Sequence, residues 1–184
     1  MSKSNACEAG LLDLLFLNTD FATVGDAAGL QNSAAAGSLY MSLHTADPGE
    51  AGTQLTSEAT YTSYARVPVA RSGAGFSRSV STISLVADCD FPASTGGAAT
   101  ALSHWAVGTA SAGAGVLLYK GALSTPLNMA SGVQPRIPAT SSIVSEDSSS
   151  QSVSNPERSA TSRSEVKKSL FWMRTAAPAV SLLA

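Results

Sequence analysis

Ser38-Leu39-Tyr40-Met41-Ser42-Leu43-His44-Thr45, closed by Ala46-Asp47-Pro48-Gly49, is the stretch that decides the fold. Leu39, Met41 and Leu43 alternate with Tyr40, Ser42 and His44. A period of two sends neighbouring side chains to opposite faces of a strand, so this run reads as β. Asp47-Pro48-Gly49 ends it: Pro48 presets φ at a turn position, and Gly49 accepts a positive φ.

Working outward, further strands are expected at 65–71, 80–86, 101–107 and 116–123, with a weaker one at 137–144. Turn clusters separate them at Gly73-Ala74-Gly75, residues 92–97, residues 111–115 and Ser131-Gly132. Upstream, residues 4–18 read as a helix, with Ser4 and Asn5 as caps and Leu11, Leu12, Leu14, Leu15 and Phe16 as a broad apolar face. Such a face must be covered by a sheet or by a neighbouring subunit. A short helical turn is expected near residues 26–30. Beyond Glu146 the chain becomes Ser-rich and reads as a linker. Val166, Leu170 and Met173, beside Phe171 and Trp172, then mark either a docking peptide or a frayed tail.

The expected fold class is mainly β: an antiparallel β-sandwich or jelly-roll-like barrel with one N-terminal helix and a low-complexity C-terminal extension. The segments between strands are too short and too rich in Gly and Ser to supply the crossover helices of a parallel α/β fold. The expected division is an N-terminal helix and arm at 1–37, the β-sandwich domain at 38–147, and the linker with its candidate docking peptide at 148–184.

Of 184 residues, 44% are hydrophobic and 13% charged, about half the charged fraction of ordinary soluble domains. So sparse a charge coat gives little protection against association, and a homo-oligomer or lattice component is expected. Residues 1–150 carry six Lys/Arg against eleven Asp/Glu, and 151–184 carry five against two, leaving −5 on the body and +3 on the tail. A body lacking a basic stripe argues against nucleic-acid binding. The run from Leu11 to Leu17 contains Asp13 and falls far short of the ~20 residues of a membrane span. Neither a span nor a signal peptide is expected. Cys7 and Cys89 have no metal-ligand spacing, and they read as small apolar residues in a protein made in a reducing cytosol, a disulfide being without support.

His44, Asp47 and Glu50 are close enough in sequence to raise a metal or acid/base site. A strand end followed by a turn points such neighbours apart, however, and Asp47 already has a role in the turn. Of the adjacent pair His104 and Trp105, one faces the core and the other the opposite face; Trp105 in the core is the ordinary choice, and Trp105 outside would mark a partner or glycan contact. The Gly73/Gly75 and Gly113/Gly115 pairs lack the Lys-Ser/Thr of a phosphate loop. With no nucleophile elbow, no His-Glu-x-x-His and no Cys-x-x-Cys, the chain has no catalytic, cofactor-binding or metal-binding residue to name, no cofactor is implied, and an enzyme is not expected.

Four blocks carry a resemblance: Ser38 through Gly52, Tyr64-Ala65-Arg66, His104-Trp105-Ala106-Val107-Gly108 and Leu117-Leu118-Tyr119-Lys120-Gly121-Ala122-Leu123. In order and spacing they resemble a family of small tailed-bacteriophage virion structural proteins, tail-fibre-like or capsid-decoration-like, over about residues 5–146. Two departures stand out. The stretch 76–83 lacks the small-polar turn of the family's hairpin, and residues after Glu146 or Asp147 extend beyond the family's usual end. The resemblance implies a non-enzymatic virion protein, assembled in the bacterial host cytoplasm, that binds other capsid or tail subunits. A capsid decoration or cement protein is the first expectation, and a tail fibre or tail-tip component the alternative. A receptor- or glycan-binding module is a second class, with Trp105, Tyr61, Tyr64 or Tyr119 as stacking platforms, and a tail-borne hydrolase a third. No membrane or nucleic-acid partner is expected.

Overall fold

The helix that opens the chain is capped as its sequence requires. In the computed structural model, which describes residues 3–97, 100–139 and 141–145, all within one compact unit, Lys3–Asp147, the Ser4 hydroxyl accepts from the Cys7 N–H at the start of α1 (Asn5–Leu12). A π-helical turn, Asp13–Leu17, continues α1 and stops where Asn18 takes a left-handed conformation, φ 54°. Leu12 and Phe16 are fully buried, so the apolar face is covered by the chain's own sheets.

The strands are β1 (Ser38–His44), β2 (Val67–Ala70), β3 (Phe76–Ser79), β4 (Thr82–Leu85), β5 (Cys89–Asp90), β6 (Ala101–Gly108), β7 (Leu117–Asn128), β8 (Arg136–Ile137) and β9 (Ser142–Ser145). Among the described residues every strand pairing is antiparallel. They form a four-stranded sheet in the order β2-β1-β6-β7, a three-stranded sheet β3-β4-β9 and a two-stranded pair β5-β8. The fold is thus mainly β and antiparallel with one short N-terminal helix, consistent with a β-sandwich.

Register sets the faces. Met41 lies opposite Val67 and Val107, and Leu43 opposite Trp105. These residues, with Leu39, form one wall of the apolar core. Phe76, Ile83, Leu85, Ile143 and Val144 from the three-stranded sheet share that core. Phe16 joins the layers, meeting Phe76 edge-on at 5.1 Å between ring centres.

Several elements differ from the sequence reading. The strand expected at 80–86 is present as β4, but it is one arm of a hairpin: β3, which the sequence reading lacked, pairs with it across a turn at Val80 and Ser81, with Val80 at φ 54°. The turn was hidden because a β-branched residue occupies a position that Gly, Asn or Asp usually fills. Residues 26–30 are not helical. The Asp26 side chain accepts from the Ala28 and Gly29 N–H groups at 2.8 and 3.0 Å, and Phe21 bridges to Leu30, so a side-chain-closed turn displaces the helix. The expected strand at 137–144 splits around Pro138 into β8 and β9, which belong to different sheets, and β5 had no signal in its two residues. β7 runs five residues past 123 and through Pro126, tolerable because β7 is an edge strand. The Ser-rich linker and docking peptide at 148–184 lie outside the described residues.

Candidate functional site

The second face of the four-stranded sheet is buried at its centre, on β1 and β6, and is chemically opposite to the core face. Ser42, His44 and Ala106 point away from the apolar core and are all fully buried. Covering chain comes from residues 53–59, which return to β1: the Ala59 N–H donates to Leu43 O at 2.8 Å, and Glu58 bridges to His44. The His44 ring places Nδ1 2.8 Å from Thr56 O and Nε2 2.9 Å from the Ser42 hydroxyl. A carbonyl only accepts, so Nδ1 carries a proton and neutral His44 accepts from Ser42 at Nε2. Burial holds the His44 pKa below its ordinary value.

Beside this histidine sits a buried charge pair. The Arg66 side chain is 2% exposed and donates twice to Glu58, from Nε to Oε1 at 2.6 Å and from Nη2 to Oε2 at 2.8 Å. Its remaining reach goes to the 109–116 loop, where Nη1 donates to Ala110 O at 2.8 Å and Nη2 to Gly113 O at 2.7 Å. The Glu58 carboxylate raises the Arg66 pKa further. Tyr64 donates to Glu58 at 3.0 Å while the Leu43 N–H donates to its hydroxyl, and burial pushes the Tyr64 pKa far up. Fully buried Gln54 completes the arrangement, donating to Tyr40 O and accepting from the Ala110 N–H. Among the described residues no buried side-chain polar atom lacks a hydrogen-bond partner. These groups are saturated, and what the arrangement does is clamp the 46–63 and 109–116 loops onto the sheet.

The three residues first considered for a metal or acid/base site do not converge. His44 is interior, whereas Asp47 accepts from the Gly49 N–H at 2.8 Å in the expected turn, with Gly49 at φ 76°. Asp47 and Glu50 meet Lys120 Nζ at 2.9 and 3.2 Å. Among the described residues no three His, Cys, Asp or Glu side chains are grouped to hold a metal. Cys7 and Cys89 are free thiols, and burial pushes the Cys89 thiol up to about 12.

Two of the expected stacking platforms are interior. Tyr61 is 4% exposed, packs edge-on against Tyr64 at 5.3 Å, and donates to Pro92 O at 2.9 Å. Tyr64 stacks on Phe91 and belongs to the clamp. Tyr119 is half-buried against Phe16, 5.7 Å between ring centres. Trp105 differs. It faces the core side of the sheet yet stays partly exposed, lining a groove of about 410 Å³ between the β6-β7 hairpin and the β8-β9 segment. Its indole packs on Gly121 so closely that a Cβ there would come within 2.7–2.9 Å of ring atoms, so a larger residue would have to displace the indole. Ser124, Thr125, Ser141 and Ser142 line the same groove, with Leu43 and Leu102 in its floor.

Sequence reasoning missed Glu58, Gln54 and Arg66 as a unit. The available signal was rarity: in so weakly charged a chain, Arg66 sits directly before a strand, where a charge needs a partner.

No curated protein matches the chain. The family described as podophage GP4 fiber I protein gp80 matches residues 2–145, a span that includes the helix, all nine described strands, the clamp and the groove. With most of its length, and all of its described structure, inside that match, the chain belongs to the podophage GP4 fiber I protein gp80 family, a family of phage fibre structural proteins.

Proposed function

We propose that this protein is a structural component of the tail fibre in the virion of a tailed phage, non-enzymatic, and bound there to other virion proteins and to copies of itself. The observation that carries this reading is the family match over residues 2–145. It favours the tail fibre, the alternative in the sequence reading, over capsid decoration, the first expectation, for which no comparable support exists. The clamp agrees with a structural role, because its ionisable side chains are consumed by internal bonds and hold loops in place. Self-association follows from the sparse surface charge, and from the exposed apolar side chains of Leu55, Val80 and Val116.

Gold labelling or a density map of particles carrying a tagged chain tests the location: signal on the tail supports the reading, and signal spread over the head overturns it. Light scattering on the purified chain tests self-association, which a monomer at high concentration would rule out.

A further inference from the structure

We infer that the arm formed by residues 18–33 is a docking element for a different virion protein, one that presents an apolar recess bordered by Lys or Arg. The arm closes on itself. The Asn18 side chain donates to Ser33 O at 2.9 Å and accepts from the Ser33 N–H at 3.0 Å, and the Asn32 side chain donates back to Asn18 O at 2.8 Å. Phe21 and Leu30 exchange two backbone bonds of 2.9 Å. The root is fixed to the body: the Phe21 ring packs so closely on Gly10 that a Cβ there would come within 2.6–2.7 Å of it, and Arg71 donates to the Ser33 hydroxyl. The tip, residues 22–29, is closed from within by Asp26, and among the described residues no hydrogen bond or ion pair ties it to the body. Thr23 takes φ 63°, which a β-branched residue resists, while Val24 and Leu30 stay exposed. An ordered arm that carries strain and buries little does not serve its own fold, and contact outside the chain accounts for it.

Charge selects the partner. Residues 18–37 hold Asp20 and Asp26 and no Lys or Arg. Each carboxylate uses Oδ1 on N–H groups of the arm, and no cation pairs with either among the described residues. Such an arm repels nucleic acid and anionic membrane surfaces. A second copy is no better suited, because the cations among its described residues are spent. Arg66, Arg78, Lys120 and Arg136 face carboxylates of their own chain, Arg71 is engaged by Leu14 O, Leu15 O and Ser33, and Lys3 is engaged too. A different protein with uncommitted cations around an apolar floor complements both the carboxylates and Val24 with Leu30. The inference rests on the virion reading above and adds where the contact is made and by what chemistry.

The test replaces residues 22–29 of the full chain by Asn-Gly. Phe21 and Leu30 already form a doubly bonded antiparallel pair, which a two-residue turn closes, so the shortened chain should keep its melting temperature. A second variant, Asp20→Asn with Asp26→Asn, keeps the side-chain oxygens that close the arm and removes both charges. Copies of each chain per purified particle are counted by quantitative mass spectrometry, and self-association of each purified chain is read by light scattering. Expected are roughly tenfold fewer copies of the shortened chain, roughly threefold fewer of the double variant, and unchanged self-association in both. Equal copies of the wild-type and shortened chains, full incorporation of the double variant, or loss of self-association in the shortened chain would each overturn the assignment. A wild-type chain missing from particles would overturn the virion reading and this inference with it, whereas equal incorporation overturns this one alone.

Discussion

The two faces of the four-stranded sheet are both buried along β1 and β6, and they are held by different physics. On one, Leu39, Met41, Leu43 and Val107 bury hydrocarbon against the other sheets. That contribution scales with area and tolerates repacking. On the other, Ser42, His44, Gln54, Glu58 and Arg66 bury polar groups that hold only as a complete set. Apolar layers give stability, whereas a saturated polar layer gives position, and here the positioned elements are the 46–63 and 109–116 loops. The contrast predicts different responses to damage.

The largest effect is expected from breaking the polar layer at its charge. Arg66→Met leaves Glu58 buried without its partner and should cost about 3–5 kcal/mol. Replacing both Arg66 and Glu58 with apolar residues should cost less than the single change, and amide exchange in 109–116 should accelerate in either variant. A loss below about 1 kcal/mol in the single variant would remove the clamp's energetic role. The matching cut in the apolar layer, Met41→Ala, should cost about 2–5 kcal/mol through a cavity. Urea melts should show this loss as global, with 109–116 no more mobile than the rest, and selective loosening of that loop would erase the distinction between the faces.

A smaller effect comes from titrating the polar layer. Burial holds His44 below its ordinary pKa of 6.5, against the upward pull of Thr56 O and Glu58. The unfolded chain therefore takes up this proton first as pH falls. The stability tied to neutral His44 is complete above pH ~6.5 and is lost as pH drops from there through the folded-state value. Asp47, lowered from 3.8 by the Gly49 N–H and then by Lys120, titrates below this window. Melts between pH 7.5 and 5 should show a slope that His44→Asn flattens, and an unchanged slope in the variant would place the dependence elsewhere.

The two faces also differ in how far the sequence disclosed them. Period-two alternation exposes an apolar layer directly, so β1 and the core sides of β2, β6 and much of β7 were legible from Leu39, Met41, Leu43, Val67, Val69 and Val107. The polar layer has no period. Gln54, Glu58 and Arg66 come together through loops whose course depends on bonds to Ala110 and Gly113, more than forty positions from Arg66. The strand at 38–44 announced His44 but not its covering. Trp105 was legible as a residue with two choices of face, but the groove was not, because it depends on Gly121 and on the separation of β8 from β9.

The last test lies outside both layers and sets the scale for them. Val80 turns the β3-β4 hairpin at φ 54° with its side chain 69% exposed, so it gives little burial to offset a conformation that β-branched residues resist. Val80→Gly should relieve about 1 kcal/mol of that strain, less the entropy glycine brings to the unfolded chain. The expected outcome is a melting temperature a few degrees higher, with exchange in 109–116 unchanged. A lower melting temperature would mean that the entropy glycine brings to the unfolded chain outweighs the strain it relieves.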